Sequence, residues 1–128
     1  MSNKKQDSLE SLGHAVNRLR EALQLAPDSS RIAIDATIQR FEFTFELLWK
    51  TLRLFLIDTG IETNSPRAAF EEAYKQKWID DEQIWLQMMK SRNLTSHTYD
   101  EHTADQIYAN IHEFNEPIKS LYERLKAM

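Results

Sequence analysis

Four side chains between positions 92 and 99 are of types that could together handle a phosphate: Arg92, Asn93, His97 and Tyr99. The arginine is a permanent cation, the asparagine offers an amide, the histidine titrates near neutral pH and the tyrosine adds a hydroxyl. Arginine can hold a phosphodiester and stabilise the charge that develops on it. Histidine can take a proton from a ribose 2′-hydroxyl or return one to a leaving oxygen. The set therefore predicts a site for a nucleotide or RNA that needs no metal.

The same residues leave two other interpretations open. Tyr99 could be a nucleophile toward a nucleotide phosphorus, if another protein supplied the metal and the activated nucleotide. Alternatively, the segment is a solvated loop in which His97 caps a helix, because one arginine and one histidine five positions apart often occur by chance.

A metal site is the weaker interpretation of the acidic and histidine residues that follow. Two histidines five positions apart do not have a helical ligand spacing, and the chain has no cysteine to help them. We therefore predict neither a metal nor a cofactor. The residues of this cluster are His97, Asp100, Glu101, His102 and Asp105.

Arg92 and His97 can share one pocket only if a helix ends between them. Five residues turn a helix by about 500°, which leaves the two side chains about 140° apart. Thr95, Ser96 and Thr98 are poor helix formers and predict such an end. If the link that follows is extended, His97 and Tyr99 lie on one side of it.

The elements that must position these residues are predicted to be helices. Two glycines and three prolines punctuate a chain whose apolar residues recur every three or four positions. Predicted helix starts are Ser65 before Pro66, Asp80 and Thr103, with further caps at Asp28, Ser29 and Ser30, a stop at Gly60 and a bend at Pro117. The longest apolar stripe is Ile34, Ile38, Phe41, Phe45, Leu48, Leu52 and Phe55.

The helix that carries this stripe has a second apolar face. Phe43, Leu47, Leu54 and Ile57 lie about 200° round the axis from the first stripe. In a small bundle this favours one face on the core and one on a second chain, with a single broad core face as the alternative. We predict an all-α, antiparallel, up-and-down bundle of four to five helices, one domain over 1–128, forming a homodimer.

Charge and composition narrow the class of protein. The 16 lysines and arginines against 20 aspartates and glutamates give a net charge of -4, which argues against bulk DNA binding. The absence of cysteine excludes disulfides and thiol chemistry. No secretion signal or apolar span is present, so we expect a cytoplasmic protein without a membrane partner.

The segment Arg92-Asn93-Leu94-Thr95-Ser96-His97-Thr98-Tyr99 resembles the R-x4-H-x-Y motif of HEPN-domain proteins. The rest of the chain, from the first helix through the aromatic segment 41–50, resembles the branch described as nucleotidyltransferase substrate-binding proteins. The resemblance implies a small helical homodimer that works with a separately encoded minimal nucleotidyltransferase in a toxin-antitoxin type module.

The resemblance also implies roles for individual residues. Arg92 and His97 would line an RNA-cleaving cleft at the dimer interface, Asn93 would support it, and Tyr99 would be the tyrosine that the partner modifies with adenylate. In the milder version, the helical subunit binds the nucleotide or RNA substrate and the nucleotidyltransferase does the chemistry. The alternatives are a metal-independent endoribonuclease toxin and a purely structural adaptor.

Overall fold

The computed structural model describes residues 3–128, which form helices and no strand. A single 3-10 turn, Thr95–His97, joins the last two helices. The helices are α1 (Lys4–Leu23), α2 (Ile32–Asp58), α3 (Pro66–Lys75), α4 (Glu82–Leu94) and α5 (Glu101–Ala127). The predicted all-α bundle is confirmed. None of these helices is long and apolar enough to cross a membrane.

The helix α2 is the centre of the bundle and packs against each of the other four. All seven members of its predicted apolar stripe are buried. A chain of aromatic rings extends the core from α2 to its neighbours: Phe41 lies 5.7 Å from Phe114 of α5, and Phe45 lies 5.8 Å from Phe70 of α3. Phe70 in turn stacks on Trp85 of α4 at 4.8 Å. Burial of these large side chains fixes where α4 ends relative to α2.

Two predicted helix boundaries are confirmed. Ser65 caps α3, where its hydroxyl accepts a hydrogen bond from the Ala68 amide at 3.1 Å and Pro66 occupies the first helical position. Gly60 follows the end of α2 with a φ of +86°, a conformation that glycine adopts without the steric cost other residues meet.

Two predicted starts are wrong by one and three residues. The cap of α4 is Asp81 and not Asp80, since the Asp81 carboxylate accepts from the amides of Gln83 and Ile84. The cap of α5 is Asp100 and not Thr103. In both cases an aspartate stands where its short side chain reaches the free amides of the first turn.

The start of α2 also differs from the prediction, and contacts with α5 account for the difference. Its cap position is Arg31, in the left-handed conformation with a φ of 63°, and none of the three predicted caps occupies it. The Arg31 guanidinium donates to Asp105 of α5 at 2.7 Å and lies 3.9 Å from Glu101. These contacts raise the pKa of Arg31, chiefly through the hydrogen bond to Asp105. They tie the start of α2 to the start of α5, and α5 then continues through Pro117 without interruption.

The second apolar face of α2 is only partly covered by the chain itself. Phe43, Leu47 and Leu54 are half-buried, and Ile57 is 41% exposed. Ile32 extends the same face and is 70% exposed. The structure therefore leaves on α2 the apolar surface that its sequence pattern indicates.

The two neighbouring aspartates at the start of α4 allow a matched test of the cap. We expect Asp81→Ala to lower the free energy of unfolding by about 1 kcal/mol, because two amides of the first turn lose their acceptor. Asp80→Ala should change it by less than about 0.5 kcal/mol. Urea unfolding followed by circular dichroism measures both. Equal losses in the two variants would contradict the assignment of Asp81 as the cap.

Candidate functional site

The predicted end of a helix between Arg92 and His97 is present. The helix α4 stops at Leu94, and the Thr95 hydroxyl donates to the Arg92 carbonyl at 2.7 Å, which closes the last turn. The hydroxyl of Thr98 then donates to the Thr95 carbonyl at 3.4 Å. The predicted extended link is wrong, since these local hydrogen bonds fold residues 95–97 into a 3-10 turn.

The guanidinium of Arg92 is directed inward along α4, and only 30% of the side chain is exposed. Its Nη2 atom lies 3.4 Å from Oε1 of Glu46 on α2, and its Nη1 atom donates to the Thr95 hydroxyl at 3.3 Å. Its Nε atom is buried and has no hydrogen-bond partner among residues 3–128. Helix α2 and the 3-10 turn therefore hold this cation from two sides.

Glu46 is the residue of this site that the sequence interpretation missed. The pattern of Glu46 and Lys50 predicts a solvated ion pair along α2, and that pair is present at 3.7 Å. The same carboxylate also accepts from the Trp49 indole at 3.3 Å and faces Arg92. Its separation from Arg92 by 46 positions gives no local pattern. The available signal was the inward direction of Arg92, because a half-buried guanidinium requires a nearby acceptor.

His97 and Tyr99 are in contact across a turn, and not along the extended link from which a common side was predicted. The Nδ1 atom of His97 lies 3.3 Å from the Tyr99 hydroxyl, and the two rings meet edge to face at 5.9 Å. Both side chains are exposed, Tyr99 to 83%. The His97 Nε2 atom has no hydrogen-bond partner in the described part of the chain. When Nδ1 donates to the phenol oxygen, Nε2 is the basic nitrogen.

Asn93 and Tyr99 line different pockets of the single chain. Tyr99 borders a shallow pocket with Asp35, Gln39 and Glu42 of α2. Asn93 borders another pocket between α3 and α4. The structure thus forms two pairs, Arg92 with Glu46 and His97 with Tyr99. A joint role for the four predicted residues stays a prediction.

The acidic residues after the motif serve α5. The Asp100 carboxylate accepts from the hydroxyl and the amide of Thr103, at 2.6 and 3.1 Å. These hydrogen bonds, the hydroxyl first, hold the pKa of Asp100 below its ordinary value, so it is a carboxylate at neutral pH. Over residues 3–128, no three histidine, aspartate or glutamate side chains are grouped to hold a metal ion.

The sequence of the chain is similar to a known protein family and to a named relative. The chain matches the family described as nucleotidyltransferase substrate binding protein like over residues 7–127. A Haemophilus influenzae protein named probable ribonuclease HepT is 35% identical over 98 residues, which are 73% of this chain and 67% of the relative.

Two solved structures share the fold. A Thermus thermophilus protein superposes with a TM-score of 0.83 and 33% identity, over 89% of this chain and 98% of that one. A Haemophilus influenzae protein, described as revealing the fold of a substrate binding domain of a nucleotidyltransferase, gives a TM-score of 0.71 and 30% identity, over 97% and 98%. Because the family match covers nearly all of the chain and the helical bundle agrees with these structures, the chain belongs to the nucleotidyltransferase substrate-binding protein-like family.

Proposed function

We propose that this chain is the helical subunit of a two-component minimal nucleotidyltransferase module of the toxin-antitoxin type. It binds the nucleotidyltransferase, and it binds a nucleotide or RNA at the segment 92–99 near a homodimer interface. The observation that supports this most is the half-buried Arg92, held by Glu46 and Thr95, which precedes the contacting pair of His97 and Tyr99 by five positions in the chain.

The geometry around Arg92 suits a phosphate. A guanidinium has five N–H donors, and the contacts to Thr95 and Glu46 use two of them. The Glu46 contact is long, at 3.4 Å, so it orients the cation without fully satisfying it. A phosphodiester that reached the exposed part of the guanidinium would gain a charge-assisted hydrogen bond from a group already fixed in place.

The second face of α2 connects this site to the proposed dimer. At 100° per residue, Glu46 lies about 60° round α2 from Phe43, at the edge of that apolar face. Glu42, which borders the Tyr99 pocket, lies on the same side. A second copy packed on Phe43, Leu47 and Leu54 would bring both copies of the segment 92–99 to the margins of one interface.

A charge placed on this face tests the dimer. We expect the wild-type chain to sediment as a dimer and Leu54→Glu to raise the dimer dissociation constant at least about 10-fold, because an unpaired carboxylate would be buried. Leu25→Glu, at a leucine 54% exposed between α1 and α2, is the control. Analytical ultracentrifugation across protein concentration measures both. A dimer that tolerates Leu54→Glu as well as Leu25→Glu would rule out this face.

A second candidate function is metal-independent RNA cleavage, favoured by the relative named probable ribonuclease HepT and by the free Nε2 of His97. That nitrogen would take the proton of a ribose 2′-hydroxyl. The 2′ oxygen would then attack the phosphorus, and the 5′ oxygen would leave and take a proton from water. The products are a 2′,3′-cyclic phosphate and a 5′-hydroxyl, and Arg92 would stabilise the charge on the phosphoryl oxygens.

Separate binding and cleavage assays distinguish the two functions. If the chain is a ribonuclease, the wild-type protein should cut single-stranded RNA in EDTA, and Arg92→Ala and His97→Ala should cut it at least about 100-fold more slowly. His112→Ala, at an exposed histidine on α5, should cut normally. Binding is measured by fluorescence anisotropy on 2′-O-methyl RNA, which lacks the attacking hydroxyl.

The outcomes of these assays separate cleanly. Binding that depends on Arg92 without any cleavage would support the substrate-binding subunit and reject the ribonuclease. RNA binding that neither variant changes would reject the proposed site, and a wild-type chain that neither binds nor cuts RNA would leave the structural adaptor.

We propose Tyr99 as the residue that the nucleotidyltransferase modifies. Its exposed phenol oxygen would attack the α-phosphorus of ATP held by the partner, lose its proton to solvent and release pyrophosphate. That oxygen lies 3.3 Å from His97 Nδ1, so the new phosphodiester would stand against the imidazole. It would occupy the place of a substrate phosphate.

Mass spectrometry tests this modification. After incubation with the nucleotidyltransferase, Mg²⁺ and ATP, we expect wild-type chain to gain one adenylate and Tyr99→Phe to gain none. Tyr74→Phe, at a tyrosine of α3 that is 43% exposed, should be modified like wild type. An unchanged wild-type mass, or an adenylate that remains in Tyr99→Phe, would reject Tyr99 as the acceptor.

A further inference from the structure

We propose that the pocket between α3 and α4, next to Asn93, binds one nucleotide of single-stranded RNA. We name it the α3–α4 pocket. This inference rests on the proposed function and extends it to a second subsite beside the segment 92–99. The pocket has a volume of about 500 Å³, which lies within the usual range for sites that bind small organic groups.

The floor of the α3–α4 pocket is apolar. Phe45 of α2, Pro66 of α3, and Leu86 and Met89 of α4 form it. Phe45 is almost fully buried, while the other three are half-buried and present surface to the pocket. A nucleobase can cover such a floor with its face, and the thioether of Met89 adapts to flat rings.

The rim of the pocket is polar and cationic. Arg67 projects from the first turn of α3, and Lys90 and Asn93 project from the last turns of α4. Among residues 3–128, no acidic side chain lines the pocket, although the chain carries 20 aspartates and glutamates and a net charge of -4. Two cations without an opposing carboxylate on the rim favour a phosphate, and the Asn93 amide can both donate to and accept from a base edge.

Both cations are available for a ligand. The Arg67 guanidinium lies 3.8 Å from Glu71 on the same helix, with the two side chains 66% and 48% exposed. An exposed pair of this kind contributes little and exchanges readily for a phosphate contact. Lys90 is exposed and forms no ion pair or hydrogen bond with any described side chain.

The α3–α4 pocket meets the proposed site at Asn93. Asn93 lines the pocket and follows Arg92 directly on α4, about 100° round the helix axis, whereas Lys90 lies about 160° round it. A strand that reached Arg92 from the side of Asn93 would place its adjacent nucleotide near the opening of the pocket. The pocket would determine the register of the RNA, while Arg92 and His97 contact the phosphate and the 2′-hydroxyl.

Fluorescence anisotropy with a labelled single-stranded 2′-O-methyl RNA tests the rim. We expect Arg67→Ala with Lys90→Ala to weaken binding at least about 10-fold and to reduce the salt slope by about 1.4, since two phosphate contacts are lost. The control removes two cations of α5 outside the pocket, with Lys119→Ala and Arg124→Ala. A pocket variant that binds like the control variant would overturn the inference.

Methyl NMR of the full chain tests the floor without a substitution. On addition of the RNA, we expect the Met89 methyl signal to shift, while that of Met88, fully buried one position away, stays in place. Titration with AMP tests whether the pocket binds a free nucleotide as well as a nucleotide within RNA. If AMP alone shifts Met89, the pocket accepts a free nucleotide. A Met89 signal that neither RNA nor AMP moves would reject the pocket.

These measurements separate failure of the pocket from failure of the proposed function. If Arg92→Ala abolishes RNA binding and the pocket variant has no effect, only this inference fails. If the pocket variant weakens binding and Arg92→Ala does not, the pocket stands and the assignment of Arg92 fails. If the wild-type chain binds no RNA and AMP leaves Met89 unchanged, both are wrong.

Discussion

The contact between Arg92 and Glu46 is the interaction on which the site depends. A guanidinium that is 30% exposed has lost much of its hydration, so it must be compensated by acceptors. The Glu46 carboxylate and the Thr95 hydroxyl supply them from two elements, α2 and the 3-10 turn. The direction of the cation is therefore set by the packing of α4 against the central helix, and a ligand meets an arginine that is already oriented.

Three sides of helix α2 have different surroundings. Its buried stripe packs in the core, its polar edge carries Glu46, and its second apolar face is only partly covered by the chain itself. Because a helix is a rigid rod over this length, a second copy that packs on the apolar face also positions the polar edge relative to itself. Assembly and site geometry would thus be coupled through α2, with no need for a loop to move.

Sequence reasoning worked well where the determinant is local. The helical period placed the core, and Ser65 and Gly60 marked boundaries because cap and stop chemistry depends on neighbouring residues. It failed where several candidates stood side by side: Asp81 and Asp100 cap their helices, since the register of the first turn is decided by packing. Arg31 shows the same limit, because its left-handed cap is stabilised by Asp105, which lies 74 positions away.

In the candidate site, too, contacts between residues close in sequence were easier to predict than contacts between distant ones. The contact of His97 with Tyr99 could be predicted, because two positions separate them and either a turn or an extended link allows their rings to meet. The inward direction of Arg92 could be predicted from the face it shares with Trp85 and Met88. The partnership with Glu46 could not, since it depends on how α4 packs across α2.

The distribution of charge constrains how such a protein can bind RNA. With a net charge of -4, the molecule as a whole repels a polyanion, so binding must come from a few cations grouped at one place. Arg67, Lys90 and Arg92 lie on adjoining parts of α3 and α4, and three phosphate contacts alone give weak, salt-sensitive affinity. A dimer built on the second face of α2 would present two such groups to one strand, and linking two weak sites raises the overall affinity without any new contact in either copy.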